Sequence, residues 1–159
     1  MLLQDYINYW AGIVQQHAKI KQFYRLNFEE YNDAIRENAE YPILCLSDYK
    51  GDILLKSGGT AALDIQSGSI LILDRFELQD YDDEVQKLND LKAYGLGIFA
   101  KIMDGINIES CPKILLEIEP NSIKYELTDY ITEHVKGWLF DFKFVEKADD
   151  YFVNPNHWL

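Results

Sequence analysis

Apolar and polar positions alternate along this chain with two different periods, and the change of period marks out the elements. Over residues 2–21, Leu3, Tyr6, Ile7, Trp10, Ile13, Val14 and His17 recur at spacings of three and four. That is one stripe of an amphipathic helix and predicts a helix at the N-terminus. Further on, Asn27 is placed to cap a short helix carrying Phe28, Tyr31 and Ile35 on one side, which must end near Tyr41 because the residue before Pro42 is pushed out of the α region. Ile43 to Leu46 is a continuous apolar run between Pro42 and Ser47-Asp48, as in a short strand buried on both faces. Ser69 to Leu78, centred on Ile70, Leu71, Ile72 and Leu73, predicts a second strand. Between the two, residues 48–68 surround the apolar Ile53, Leu54 and Leu55 with Lys50-Gly51-Asp52 and Ser57-Gly58-Gly59-Thr60, the composition of a hairpin or a flexible loop.

The helical period returns from Asp80 to Ile106, where Val85, Leu88, Leu91, Leu96, Phe99, Ile102, Met103 and Ile106 follow a first turn holding Asp82, Asp83 and Glu84. Acids at that end suit the helix dipole. Gly95 and Gly97 each cost about 1 kcal/mol relative to alanine inside a helix, so they either loosen this helix or let a strand approach closely. Ile114 to Ile118 and Ile123 to Leu127 read as two strands paired across a turn at Pro120-Asn121-Ser122. The clearest strand is the last, where Trp138, Phe140, Phe142 and Phe144 alternate with Leu139, Asp141, Lys143 and Val145; one of its faces is wholly aromatic. The order predicts an α+β fold: a single mixed or antiparallel β-sheet with an N-terminal helix and a long central helix packed on one face. With no internal repeat and no linker, residues 1–159 read as a single domain ending in a tail at 146–159.

Composition narrows the function. A chain of 159 residues, 48% hydrophobic and 14% aromatic, is apolar enough to build one real core. Its formal charge of −12 disfavours nucleic acid and anionic membrane surfaces, since binding to phosphates needs clustered Lys and Arg. Lys19, Lys21 and Arg25 are the longest basic feature and read as the solvent face and end of a helix. No apolar run is long enough to span a bilayer, and the first residues lack the layout of a signal peptide, so the expected location is the cytoplasm. Cys45 and Cys111 stand apart in apolar surroundings and read as reduced, half-buried thiols.

The patterns of catalysis are not met. Gln66-Ser67-Gly68-Ser69 lacks the first glycine of a nucleophile elbow and reads as a turn entering a strand. His17, His134 and His157 are dispersed, without metal-ligand spacing: His17 reads as a helix residue at the edge of the core, His134 as a loop or strand-edge residue. Lys56-Ser57-Gly58-Gly59-Thr60 has neither phosphate-loop spacing. Acid runs such as Asp149-Asp150 read as solvated surface. The expectation is a non-enzyme with no cofactor and no metal.

Two features ask for a protein partner. One is the 48–68 segment, where Ile53, Leu54 and Leu55 beside Gly58 and Gly59 would order against another chain. The other is the terminal stretch with Tyr151, Phe152 and Trp158, whose apolar groups are costly to leave in water; it folds back on its own domain or docks on a neighbour.

In its element order, its Tyr41-Pro42-Ile43-Leu44-Cys45-Leu46 strand, its closing Lys136-Gly137-Trp138-Leu139-Phe140-Asp141-Phe142-Lys143-Phe144 strand and its Asn154-Pro155-Asn156-His157-Trp158 tail, the chain resembles the tail terminator, or tail-completion, proteins of long-tailed phages, in particular the prophage versions of gut Bacteroidetes. That resemblance implies a structural protein without catalytic residues. It would assemble with itself as a ring, typically a hexamer, on the end of the tail tube, and offer the surface to which the head attaches. Its partners would be copies of itself, the tail tube and head-completion proteins. The competing reading is a small acidic regulatory or immunity-type module that pairs with one basic protein, steered by its charge. A third, an enzyme, would need a deep pocket gathering Asp, Glu or His with perturbed pKa values.

Overall fold

The computed structural model describes residues 3–25, 39–55, 62–77, 79–106, 108, 117–129, 131 and 134–147. The first element is helix α1, Leu3–Gln16. Its stripe buries Tyr6, Tyr9, Trp10, Ile13 and Val14, whereas Leu3 stays exposed. His17 ends the helix rather than continuing it: its Nδ1 accepts the backbone N–H groups of Lys19 and Ile20 at 3.2 and 3.1 Å.

Among the described residues six strands follow: β1 (Gln22–Arg25), β2 (Ile43–Leu46), β3 (Lys50–Leu55), β4 (Ala62–Arg75), β5 (Lys124–Leu127) and β6 (Val135–Lys147). Between β4 and β5 lies helix α2, Tyr81–Met103, capped by the Asp80 side chain on the Asp83 N–H. All six strands form one mixed sheet in the order β1-β2-β4-β6-β5, with β3 beside the first half of β4. The fold is α+β, as the two periods predict.

β4 and β6 are the spine, antiparallel over their length from Leu63↔Lys147 to Arg75↔Val135. The helix-side core is built on the aromatic face of β6. Trp10 lies 5.2 Å from Phe142 and 6.0 Å from Phe99 between ring centroids, Phe99 lies 5.8 Å from Phe140, and Tyr6 stacks on Phe144 at 5.5 Å. Aromatic pairs at these separations add attraction beyond the area they bury. On the other face Ile43, Cys45, Leu71, Leu73 and Val135 form a second cluster with Tyr24, Tyr41, Ile131 and Leu139. β2 is therefore buried on both faces, as its unbroken apolar run predicts, and Cys45 is fully enclosed rather than half-buried.

Several expectations are corrected. The 48–68 segment takes the hairpin alternative, with β3 pairing with β4 from Lys50↔Ser67 to Leu55↔Ala62; what changes is the second strand, which begins at Ala62 rather than Ser69 and ends at Arg75 rather than Leu78. Arg25 belongs to β1, a strand the pattern did not predict, which runs parallel to β2. There Arg25 pairs with Asp48 at 2.9 Å instead of finishing a helix. Val85, Leu96 and Met103 are exposed on α2, where Gly95 and Ile98 take inward positions; a period of 3.6 over 23 residues drifts away from a strict series of threes and fours.

The strands expected at 114–118 and 123–127 do not pair with each other where they are described. Glu119 donates its N–H to the Lys143 carbonyl, and Val145 donates to that of Glu117, while β5 lies further along the same edge of β6 from Lys124↔Asp141 to Leu127↔Trp138. The described residues 117–119 and β5 thus lie along the same edge of β6, on either side of a 3-10 turn at Pro120–Ser122. Proline has no N–H for the ladder, and Ser122 fills the gap: Lys143 N–H donates to its Oγ at 2.8 Å, and that hydroxyl reaches the Glu119 carbonyl at 2.6 Å. The helix expected from Asn27 and the residues 111, 114–116 and 148–159 lie outside the described residues.

Candidate functional site

Three surfaces stand out on this scaffold. The first is the outer edge at β5. All four of its residues are exposed, Tyr125 at 45% and Leu127 at 42% among them, and no described strand lies beyond it. Thr128 N–H donates to the Gly137 carbonyl at 2.9 Å, which sets the alternation of the ladder: Lys124 and Glu126 face β6 with their backbone groups, and those of Tyr125 and Leu127 point outward. Lys92 of α2 sits 4.7 Å above the Tyr125 ring and 5.4 Å above that of Trp138. A cation over two aromatic faces holds this end of the edge against the helix.

The second surface is a polar groove of about 510 Å³ on the sheet face away from the helices, where Ser47, Ser69, Lys124, Asp141 and Lys143 stand together. It continues the sheet face whose other half is the apolar cluster around Cys45. The Ser47 and Ser69 hydroxyls meet at 2.7 Å, and Ser69 N–H donates to Ser47 Oγ at 2.9 Å. These hydroxyls are therefore engaged in tying the end of β2 to β4.

The third is a cleft of about 420 Å³ between the end of α1 and the second half of α2. His17 lies in it, its ring 5.4 Å from that of Tyr94. Burial, with Lys101 nearby, lowers the His17 pKa.

The other shifted groups follow the core. Burial raises Tyr6 and pushes Tyr9 up to about 12 on the helix side; on the far face it pushes Cys45 up to about 12 and raises Tyr41. Desolvation disfavours the ionised form of each, so they stay as phenols and thiol at neutral pH. Asp74 is also raised by burial. Among the described residues no group of three or more His, Cys, Asp and Glu is placed to hold a metal, and no described helix is long and apolar enough to cross a membrane.

Of the residues singled out from sequence, Ile53, Leu54 and Leu55 are placed together on β3, whereas Gly58, Gly59, Tyr151, Phe152 and Trp158 lie outside the described residues. Sequence reading missed Tyr125 and Leu127, because an edge strand and a central strand share one alternating pattern. It also missed the cleft, whose one visible signal was Gly97 inside a helical run. No protein-family model matches the chain, and no curated protein sequence matches it.

Proposed function

We propose that this chain is a non-enzymatic assembly subunit that joins copies of itself head to tail into a closed ring, as the tail terminators of long-tailed phages do, and that it works in the cytoplasm where such particles are put together. The observation that carries this reading is the β5 edge, beyond which no described strand lies, with outward backbone groups at Tyr125 and Leu127 and exposed apolar side chains on the same two residues. An edge of this kind is a template for a strand from another chain. At the opposite end of the sheet stands β1. Two different edges meeting make a heterologous contact, which closes into a ring when the rotation permits. The charge of −12 suits a ring through which DNA passes without sticking.

Light scattering over a wide concentration range tests the proposal. Ring-sized particles, or a monomer that assembles as concentration rises, are expected. Leu127→Pro removes an outward N–H without taking one from the β6 ladder; it should keep the melting transition and lose assembly. A wild-type chain that stays monomeric at every concentration overturns the reading and favours the single-partner binding module.

A further inference from the structure

The cleft between α1 and α2 has a glycine in its wall that the fold itself does not require. Gly97 lies inside α2, where glycine costs about 1 kcal/mol relative to alanine. Two structural needs can justify that cost, a left-handed backbone or a neighbour too close for a Cβ. Gly97 has neither: its φ is not positive, and a Cβ built on it meets nothing within 4 Å. It lines the cleft, and the space beside its Cα is open.

The lining of that space is chemically divided. Ile13, Ile98 and Ile102 supply an apolar floor, and each belongs to the helix-side core. The rim carries Lys19 and Lys101 with His17, and no carboxylate is among the described lining residues. On a chain of net charge −12, this is a local reversal of sign. The His17 Nδ1 accepts two backbone N–H groups, so the neutral imidazole carries its proton on Nε2 and has that N–H to donate. A volume of about 420 Å³ falls in the usual range for small-molecule sites, where an apolar lining and a few convergent polar groups set orientation.

From these observations we infer that the α1/α2 cleft binds a single-chain amphiphile with an anionic head, of the alkyl carboxylate class. The alkyl body lies on Ile13, Ile98 and Ile102 across Gly97, and the carboxylate takes charge-assisted hydrogen bonds from Lys101, Lys19 and the His17 Nε2–H. The cleft involves neither sheet edge, so its occupancy is independent of the assembly reading.

The probe is sodium decanoate below its micelle concentration, with decanol and decyltrimethylammonium as the neutral and cationic arms, followed by calorimetry and by the methyl resonances of Ile13, Ile98 and Ile102. Saturable one-to-one binding of decanoate is expected, shifting those methyl signals and weakening about tenfold in Lys101→Gln, the effect of losing one hydrogen bond to a charged group. Gly97→Ala should raise the melting temperature, as relief of the helix cost requires. Gly97→Leu should fill the cleft and abolish decanoate binding. Equal binding of all three probes, signal changes away from those isoleucines, or binding only above the micelle concentration overturns the inference. The wild-type methyl map decides the matter even if Gly97→Leu fails to fold.

Discussion

Gly95 on α2 lies against the outer end of the Phe140 ring on β6, so close that a methyl group on it would overlap three ring carbons. Two residues on, Gly97 faces open space. The absence of a side chain at 95 brings the helix down onto the aromatic face and sets Phe99 at 5.4 Å from Phe142. Gly95→Ala should therefore destabilise the protein in urea titrations by about 1–3 kcal/mol, the usual range for overpacking, even though alanine is the better helix former. A more stable Gly95→Ala protein would mean that α2 stands off the sheet.

Ser122 stitches the turn to the edge of β6, taking the Lys143 N–H at 2.8 Å. Ser122→Ala removes that acceptor and should cost about 1 kcal/mol. Amide exchange reads the same event locally: the Lys143 N–H should exchange faster, with the β4–β6 amides unchanged. Uniform acceleration across the sheet would contradict a local stitch.

His17 is held neutral by burial and by its two backbone donors, with Lys101, Lys19 and Tyr94 around it. Its folded pKa lies below its ordinary value of 6.5, so as pH falls through that value the unfolded chain takes up the proton first. The stability His17 contributes is complete above about pH 6.5 and is lost on acidification toward the lowered folded value. The urea midpoint of the wild type should drop between pH 7.5 and 5.5 by more than that of His17→Asn, whose side-chain oxygen accepts the same bonds without titrating. Parallel pH profiles for the two proteins would remove His17 from the account.

The Cys45 thiol is enclosed on the far face of the sheet, and burial pushes its pKa up to about 12. The thiolate is the reactive form. In a Cys111→Ser protein, Cys45 should resist a disulfide reagent at pH 8 while the chain is folded and react fully in denaturant. Rapid reaction in the native state would show that the apolar cluster with Leu71, Leu73 and Val135 is open.

Much of this architecture was legible along the chain. The stripe from Tyr6 to Val14, the runs Ile43–Leu46 and Ile70–Leu73, and the alternation from Trp138 to Val145 each carry their own period, and each forms the expected element. Less was legible where a period is short or interrupted. β1 has only four residues, all half-buried, and offers no alternation to read. The chain on either side of Pro120 looks in sequence like two strands around a turn, because a turn that reverses the chain and one that merely kinks it use the same residues. The candidate surfaces were least legible: Tyr125 and Leu127 differ from core strand residues only in what lies beside them.

Sequence by itself determined the element types and most inward faces, because the period of hydrophobic positions is set by local backbone geometry and is written in neighbouring residues. Tertiary structure alone decided which strand lies beside which, since strands are joined by backbone hydrogen bonds that carry no side-chain signature. It also decided the separate roles of Gly95 and Gly97. Two identical residues on one helix differ only in what faces them, and for Gly95 that is a phenylalanine 45 positions away in the chain.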